Sequence, residues 1–218
     1  MKQKTMFIIA AVVLLLAFAG GTLVYKNQKS EQAAQSAESN GSALIRMHSP
    51  TLGNADAPVV IVEFFDPACE TCRSFYPLVK QIMAANPDKI RLVLRYAPFH
   101  TGSDKVVAIL EAARKQGKFW PALEAVLGSQ ADWAPHHTAE VALVWKHLNG
   151  LGLNMEQLQV DVTSPAIADI IAQDLADTRT LKVTMTPAFF VNRTPLLDFG
   201  YEPLKRLVDN ALNESQRK

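Results

Sequence analysis

The chain of 218 residues contains two cysteines, Cys69 and Cys72, separated by only two residues. They follow an apolar run at 59–65 and begin a segment, 73–80, with a helical pattern. Two thiols at this spacing can close a disulfide, or one can attack a partner while the other resolves the product. A helix N-terminus offers unpaired N–H groups and a positive dipole end, which stabilise a thiolate. The spacing therefore predicts a redox-active pair.

Two strands must flank this helix if the cysteine pair is to be held in place. Residues 59–65 form a nearly continuous apolar run rich in β-branched side chains, which is typical of a central strand covered on both faces. The chain breaks at 86–88, and residues 90–96 then alternate as a second strand. A strand–helix–strand unit predicts parallel pairing through a right-handed crossover.

Residues from 103 to about 181 have a helical pattern and predict a helical insertion. Ser103 is expected to cap its first helix, and Ser164 precedes its last one. That last helix is expected to bury an apolar face made of Ile167, Ile170, Ile171 and Leu175.

After the insertion the chain returns to strand character. Residues 188–191 predict a strand, 192–195 a turn, and 196–197 the second strand of a hairpin. Residues 201–212 predict a closing amphipathic helix, and 43–47 a short edge strand before the central one. The predicted fold class is α/β, in the order β-α-β, helical insertion, β-β-α.

Composition excludes several classes of protein. A net charge of +1 with 20% charged residues, and the absence of a basic stripe, argue against a nucleic-acid binder. Two cysteines are too few for a disulfide-scaffolded secreted domain. A structural zinc site needs four ligands, and no second CxxC or HxxxH motif supplies the other two.

The first 25 residues predict a membrane anchor or a signal peptide. Residues 6–25 are almost wholly apolar and follow Lys2 and Lys4, and twenty such residues are enough to span a bilayer. Residues 17–19, Ala-Phe-Ala, would suit cleavage, but the apolar run continues past them and favours an uncleaved anchor. Both alternatives place the rest of the chain in the periplasm or on the extracytoplasmic side of the membrane.

The remainder divides into two parts. Residues 26–49 are rich in Gln, Ser, Ala, Glu and Lys and predict a flexible linker. Residues 50–214 predict one catalytic domain of ordinary size, with the helical insertion at about 103–181.

The segment from Glu63 to Cys72 resembles the active-site strand and helix start of the thioredoxin superfamily. The segment from Thr186 to Asn192 resembles that family's cis-proline segment, and the helical insertion resembles the DsbA-like branch, as does the ending at 199–204. The resemblance covers about residues 50–213. It implies a thioredoxin-like fold with an inserted helical subdomain, and thiol–disulfide exchange with no cofactor beyond the cysteine pair.

Cys69, the N-terminal member of the pair, is expected to be the nucleophile, exposed at the helix tip. Cys72 lies one turn deeper and is expected to resolve the mixed disulfide. A structural disulfide is the alternative, although so short a loop removes little chain entropy.

Three further residues enter through the resemblance. Glu63 matches the family's buried acid, which would relay a proton as Cys72 is deprotonated; alternatively it pairs with a lysine or is exposed at a bend. Pro187 matches the cis-proline that shapes the wall beside Cys69, and the backbone of Thr186 would then pair with an extended substrate. An ordinary proline at the start of a strand is the alternative.

Glu70 and Thr71 depart from the DsbA pattern, which has a histidine just before the second cysteine. Without that histidine, and with the negative charge of Glu70 nearby, the pKa of Cys69 should be higher than in DsbA. A less stabilised thiolate makes the disulfide a weaker oxidant. The pair is therefore predicted to be less oxidising than the DsbA type.

The expected partners are protein or peptide thiols and disulfides, together with a membrane redox protein that recycles the pair. A monomer is expected, and isomerase activity is disfavoured because residues 26–50 are too short for a separate dimerisation domain. Three alternatives remain: a disulfide reductase serving another pathway, a membrane-tethered copper(I) chaperone using both cysteines, and a binding module with an inert disulfide.

Other candidates carry less weight. His136 and His137 could bind a metal, although a solvated loop is the simpler interpretation, and His100 could border the active site. Aromatic residues could line a peptide groove, although residues at such spacing usually belong to the core; they are Phe65, Phe99, Phe119, Trp120 and Phe189.

Overall fold

The computed structural model describes residues 41–217 and, before them, residues 20, 21, 25, 26, 28 and 29. Its centre is a five-stranded sheet with the order β1-β3-β2-β4-β5. The strands are β1 (Thr51–Gly53), β2 (Val59–Phe65), β3 (Ile90–Tyr96), β4 (Ala188–Val191) and β5 (Thr194–Pro195). β2 and β3 are parallel, as predicted, and the other neighbouring pairs are antiparallel.

Apart from the first, which lies where a strand was predicted, the longer helices follow the order predicted from the sequence. They are α1 (Gly41–Leu44), α2 (Glu70–Ala85), α3 (Ser103–Lys115), α4 (Phe119–Gly128), α5 (Gln130–Trp133), α6 (Val141–Val144), α7 (Met155–Asp161), α8 (Pro165–Thr180) and α9 (Tyr201–Ser215). Two 3-10 turns, Pro135–His137 and Trp145–Leu148, lie within the helical stretch between β3 and β4.

The sheet has a core on each face, because the side chains of β2 alternate between them. Ile61 and Phe65 point to the face covered by α2, α3 and α9, where the larger apolar core lies. Val62 and Phe64 point to the opposite face and pack with Leu44 of α1. Burial on both faces explains why β2 reads as a continuous apolar run.

The edge strand predicted at 43–47 is wrong. Residues 41–44 form α1 instead, and Ala43 and Leu44 are buried. The edge strand is β1, whose Leu52 pairs antiparallel with Leu92 of β3. α1 also contacts β3, because its Ala43 carbonyl accepts a hydrogen bond from the guanidinium of Arg95.

Two local predictions also need correction. Ser103 does not cap α3: Gly102 holds the cap position with a φ of 76°, and the Ser103 hydroxyl bonds to Asp66. The left-handed conformation at this position favours glycine. The second hairpin strand is Thr194–Pro195 and not 196–197, because the turn takes only Asn192 and Arg193, both at positive φ.

The buried side of α8 is acidic and not apolar as predicted. Ile167 is buried, but Ile170, Ile171 and Leu175 are only partly buried. Asp174 and Asp177 are buried because they bind Arg95, whose guanidinium is fully buried beneath the sheet.

These charges also hold the segment that precedes β1. The guanidinium of Arg46 binds both carboxylate oxygens of Asp177, and His48 Nε2 lies 2.6 Å from Asp174 Oδ1. Burial acts to raise the pKa of Asp174, but hydrogen bonds from His48 and Arg95 outweigh it and leave the pKa below its ordinary value. Residues 46–48, which the sequence places in a linker, therefore contact the body of the fold.

Within the described residues, no helix combines the length and apolar character that crossing a bilayer requires. The anchor or signal peptide predicted at 1–25 lies outside those residues except for positions 20, 21 and 25.

Candidate active site

Cys69 is the N-cap residue of α2, directly after the loop that leaves β2. Its sulfur accepts a hydrogen bond from the backbone N–H of Cys72 at 3.4 Å, and in its protonated form the thiol donates to the carbonyl oxygen of Thr186 at 3.3 Å. Both cysteines are free thiols. The sequence placed Cys69 in an exposed position, but only 4% of it is exposed, because the Thr186–Pro187 segment lies against it.

The environment of Cys69 stabilises its thiolate. A hydrogen bond from the side chain of Cys72 is the main cause that lowers the pKa of Cys69 to about 5, and burial acts in the opposite direction. Thr186 and the backbone N–H groups of Thr71 and Cys72 contribute further hydrogen bonds. At neutral pH the Cys69 sulfur is therefore an anion and a nucleophile.

Cys72 has the opposite character. It is fully buried in the first turn of α2, and this burial raises its pKa well above the ordinary value. The hydrogen bond with Cys69 and the charge of Glu63 raise the pKa further. One thiol of the pair is thus ionised while the other keeps its proton.

Glu63 lies in the middle of β2, between Leu94 of β3 and Phe189 of β4. It is 1% exposed, and neither carboxyl oxygen has a hydrogen-bond partner among the described residues. Burial, followed by the charge of Cys69, raises the pKa of Glu63 to about 8. The alternatives of a lysine pair or an exposed bend therefore do not describe this carboxyl.

The segment before β4 forms the wall beside Cys69. The Thr186–Pro187 peptide bond is cis, and Pro187 is buried while Thr186 is half-buried. Met185, the next residue outward, is 65% exposed. The wall thus presents exposed chain immediately beside the thiol of Cys69.

Asp66 is a buried site residue that the sequence patterns do not single out. Its Oδ1 accepts from the backbone N–H of Ala68 and from the hydroxyl of Ser103, and its Oδ2 accepts from the N–H of Phe99 and from both the N–H and Nδ1 of His100. Its backbone carbonyl also accepts from the N–H of Cys69. Asp66 therefore ties the loop of Cys69 to the loop that follows β3.

Gln130 is a second such residue, and it belongs to the helical insertion. Its side chain is buried, and its Nε2 donates to the carbonyl of Pro67 at 2.7 Å and to that of Cys69 at 3.0 Å. A glutamine 61 residues along the chain from Cys69 has no local pattern that would mark it as a site residue.

The aromatic candidates divide between core and surface. Phe65, Phe119 and Phe189 are buried as expected, and Trp120 is partly buried. Phe99 is 42% exposed beside the loop that Asp66 holds.

Phe199 was absent from the aromatic candidates, although it lies near the site. It is 48% exposed and packs against Phe75 of α2, with ring centroids 4.8 Å apart.

The histidines form no metal site among the described residues, where no group of three potential ligands comes together. His100 borders the active-site loop through Asp66 and stacks on His137, with ring centroids 4.8 Å apart. His136 and His137 are exposed, in agreement with a solvated turn.

Comparison with known proteins identifies the family. A family model described as thioredoxin matches residues 46–210. A thioredoxin-like oxidoreductase from Silicibacter pomeroyi shares 30% identity and a TM-score of 0.68, over 81% of this chain and 98% of that one. The thiol-disulfide exchange protein α-DsbA2 from Wolbachia pipientis shares 18% identity and a TM-score of 0.72, over 84% and 97% of the two chains.

The curated relatives are of two kinds. A probable disulfide bond formation protein D from Bacillus anthracis is 27% identical over 98% of both chains. A Na(+)/H(+) antiporter NhaA from Herminiimonas arsenicoxydans is 33% identical over 64% of this chain, which spans only 21% of the antiporter's length. The antiport activity in that name belongs to the longer protein.

The chain belongs to the thioredoxin family, and it shares its fold with the Silicibacter pomeroyi oxidoreductase and with α-DsbA2. The predicted thioredoxin-like fold with an inserted helical subdomain is confirmed.

Proposed function

We propose that this protein exchanges disulfides with protein or peptide substrates through Cys69 and Cys72. One observation carries the proposal: two thiols within one helical turn have pKa values displaced in opposite directions, to about 5 for Cys69 and well above 9 for Cys72. A structural pair needs no such difference, whereas an exchange enzyme needs one reactive thiolate and one protonated partner.

In the oxidising direction, a substrate thiolate attacks the Cys69 sulfur of the Cys69–Cys72 disulfide. The bond between the two enzyme sulfurs breaks, and Cys72 leaves as a thiolate that takes a proton. A second substrate thiolate then attacks the substrate sulfur of the mixed disulfide and releases Cys69 as a thiolate. Two electrons pass from substrate to enzyme, and the reverse sequence reduces a substrate disulfide.

Glu63 is proposed to supply and remove the proton of Cys72. Its pKa of about 8 lies near neutrality, so it can hold a proton and release it at modest cost. The charge of Glu63 raises the pKa of Cys72, which supports a path for the proton between the two groups. Neither carboxyl oxygen is committed to another hydrogen bond among the described residues, which leaves the group available.

Thr186 and Pro187 are proposed to bind the substrate backbone next to Cys69. The position of the Thr186 carbonyl, 3.3 Å from the Cys69 sulfur, supports an extended substrate lying antiparallel to this segment. The exposed neighbour Met185 leaves the approach open from the solvent side.

The oxidising strength is proposed to fall below that of DsbA. A pKa of about 5 for Cys69 lies between the values of roughly 3.5 for DsbA and 7 for thioredoxin, and disulfide stability follows this order. The exposed pair Glu70 and Thr71 provides no cation to lower it further. A reductase role in another pathway therefore remains the second candidate for the direction of exchange.

We also propose that the chain acts as a monomer on the extracytoplasmic side of the bacterial membrane, held there by its first 25 residues. A membrane redox protein would recycle the pair after each turnover. The apolar composition of residues 6–25 supports the anchor, and the exchange chemistry itself requires a recycling partner.

The test is to trap substrates on the full chain in intact cells. Cys72→Ser removes the resolving thiol, so mixed disulfides should accumulate on Cys69 and be released by reductant. Cys69→Ser is the matched control and should accumulate none. Recovery of no reductant-sensitive complexes from the Cys72→Ser protein would overturn the proposed exchange.

A further inference from the structure

We propose that Gln130 is a positioning residue through which the helical insertion sets the reactivity of Cys69. This inference rests on the proposed function, because it concerns the same thiol, but it assigns a role to a residue outside the thioredoxin-like core. Gln130 touches no sulfur: it acts through the backbone that carries Cys69.

The carboxamide of Gln130 uses both of its N–H bonds on the active-site loop. One points to the carbonyl of Pro67 and the other to that of Cys69, at 2.7 and 3.0 Å. The Cys69 carbonyl also accepts the first helical bond of α2, from the N–H of Arg73 at 3.1 Å. Gln130 therefore fixes the two peptide groups that flank the turn into the helix.

This turn is held from two sides. Asp66 holds its amide side, since the N–H groups of Ala68 and Cys69 both donate to it. Gln130 holds its carbonyl side and is only 1% exposed, so water cannot readily replace its two bonds. The hydrogen bonds to Asp66 lie within the active-site loop itself, whereas those from Gln130 come from α5 of the insertion.

The position of this backbone controls the thiolate. The Cys69 sulfur is stabilised by the N–H of Cys72 and by the start of α2, and both contacts depend on the orientation of the Cys69 backbone. Loss of Gln130 would also remove the side-chain donor from the buried Pro67 carbonyl and leave the Cys69 carbonyl with only the N–H of Arg73, and the less compensated carbonyl dipoles oppose a nearby negative charge. Both effects raise the pKa of Cys69.

Gln130→Met keeps the shape of the side chain and removes both donors. Gln116→Met is the matched control, because Gln116 also bonds to backbone from within the insertion, at both the N–H and the carbonyl of Asn154, away from the cysteines. The experiment measures the pH dependence of iodoacetamide alkylation of the reduced protein, together with unfolding in urea.

We expect Gln130→Met to raise the midpoint of Cys69 alkylation by about one pH unit, and Gln116→Met to leave it unchanged. If both variants lose stability and neither moves the midpoint, Gln130 has only a structural role and the inference fails. Should Gln130→Met not fold, Gln130→Asn keeps the amide with a shorter reach and must still move the midpoint upward.

Substrate trapping separates this inference from the proposed function. Alkylation needs no substrate, so a midpoint shift in Gln130→Met supports the positioning role even if Cys72→Ser traps nothing. Conversely, trapped complexes together with an unmoved midpoint would retain the exchange function and reject the role of Gln130.

Discussion

The backbone N–H of Cys72 lies 3.4 Å from the sulfur of Cys69 and points its hydrogen at it. This contact ranks among the bonds that lower the pKa of Cys69 to about 5, while Cys72 itself keeps its proton to well above pH 9. Alkylation of the reduced protein should therefore begin at acid pH, with a midpoint near 5, and should modify Cys69 alone at pH 7.

Mass spectrometry after iodoacetamide treatment measures this difference directly. A small reagent is needed because Cys69 is only 4% exposed. The Cys69→Ser protein provides the control, since its remaining thiol should react slowly at neutral pH. Equal labelling of both cysteines at pH 7 would contradict the assignment.

Glu63 should lower the stability of the folded protein at neutral pH. Its pKa is raised from 4.5 to about 8 by burial, so between these values the unfolded chain loses the proton while the folded protein keeps it. The contribution of Glu63 to stability therefore falls as the pH rises from about 4.5 to 8. At pH 7 the cost is about 3 kcal/mol, from roughly 1.4 kcal/mol per pH unit.

Glu63→Gln should remove this cost while slowing turnover, because the amide cannot carry the proton of Cys72. Urea unfolding of the reduced wild-type and Glu63→Gln proteins at several pH values measures the stability cost of Glu63. The contribution of Cys69 is common to both proteins and cancels in the difference between their unfolding free energies. Glu70→Gln is the matched control on the exposed first turn of α2. A stability difference that stays constant from pH 5 to 8 would falsify the buried ionisation of Glu63.

Thr71→His should make the pair more oxidising. Thr71 is exposed and lies directly before Cys72, where an imidazolium would favour the Cys69 thiolate. A pKa lowered by about one unit corresponds to a reduction potential raised by about 30 mV. Equilibration with glutathione buffers measures both proteins, with Thr71→Asn as the uncharged control.

The unmodified protein should show a potential below the value of about −120 mV for DsbA. A potential at or above that value would reject the prediction from Glu70 and Thr71, whatever the histidine variant does.

Asp66→Asn should destabilise the loop that carries Cys69. Both oxygens of the Asp66 carboxylate act as hydrogen-bond acceptors. An amide at this position would therefore place its own N–H groups against the N–H and O–H groups that donate to Asp66. The expected loss is about 3 kcal/mol of unfolding free energy, with a higher midpoint of Cys69 alkylation. Asp169→Asn, on the exposed side of α8, should change neither. Unchanged stability of the Asp66 variant would mean that the loop is held by other contacts.

Arg95→Met should weaken the fold without touching the active site. The Arg95 guanidinium lies 2.6 Å from Asp174 Oδ1 and from Asp177 Oδ2. Its loss leaves the buried Asp174 carboxylate with His48 and the backbone N–H of Tyr96 as its remaining hydrogen-bond partners among the described residues. Removing one partner of a buried ion pair costs about 3–5 kcal/mol. Arg91→Met on the same strand is the control, since Arg91 is partly exposed and, within the part of the chain that the structure describes, its side chain bonds to the Ala55 carbonyl and to no carboxylate. Urea unfolding measures both, and an equal small loss would show that the pair contributes little.

Local patterns were sufficient to predict the strands and helices that carry the cysteines. The apolar runs of β2 and β3 and the turn residues between them are local signals, and both strands have the bounds read from the sequence. The prediction of an edge strand at 43–47 is wrong because Ala43 and Leu44 are buried as part of a helical turn, in which Leu44 packs into the second core of the sheet.

The contacts around the site depended on distant parts of the chain and could not be read from spacing. Asp66 meets Ser103, 37 residues away, and Gln130 reaches Cys69 across 61 residues. The prediction of an apolar buried side for α8 is wrong because a buried arginine on β3 draws Asp174 and Asp177 of that helix into the interior. The motif thus identified Cys69 as the nucleophile. Its burial could not be predicted, because it depends on the position of the segment before Pro187, whose Thr186 lies 117 residues further along the chain.

The ion pair between Arg46 and Asp177 joins residues 131 positions apart. As the chain emerges from synthesis, the segment around Arg46 must wait until α8 has been made before it finds its acidic partner. The same holds for Arg95, which enters the sheet well before Asp174 and Asp177 exist to neutralise it. Closure of the second face is therefore a late, long-range event, and a chain cut before α8 would expose a basic, incompletely covered sheet.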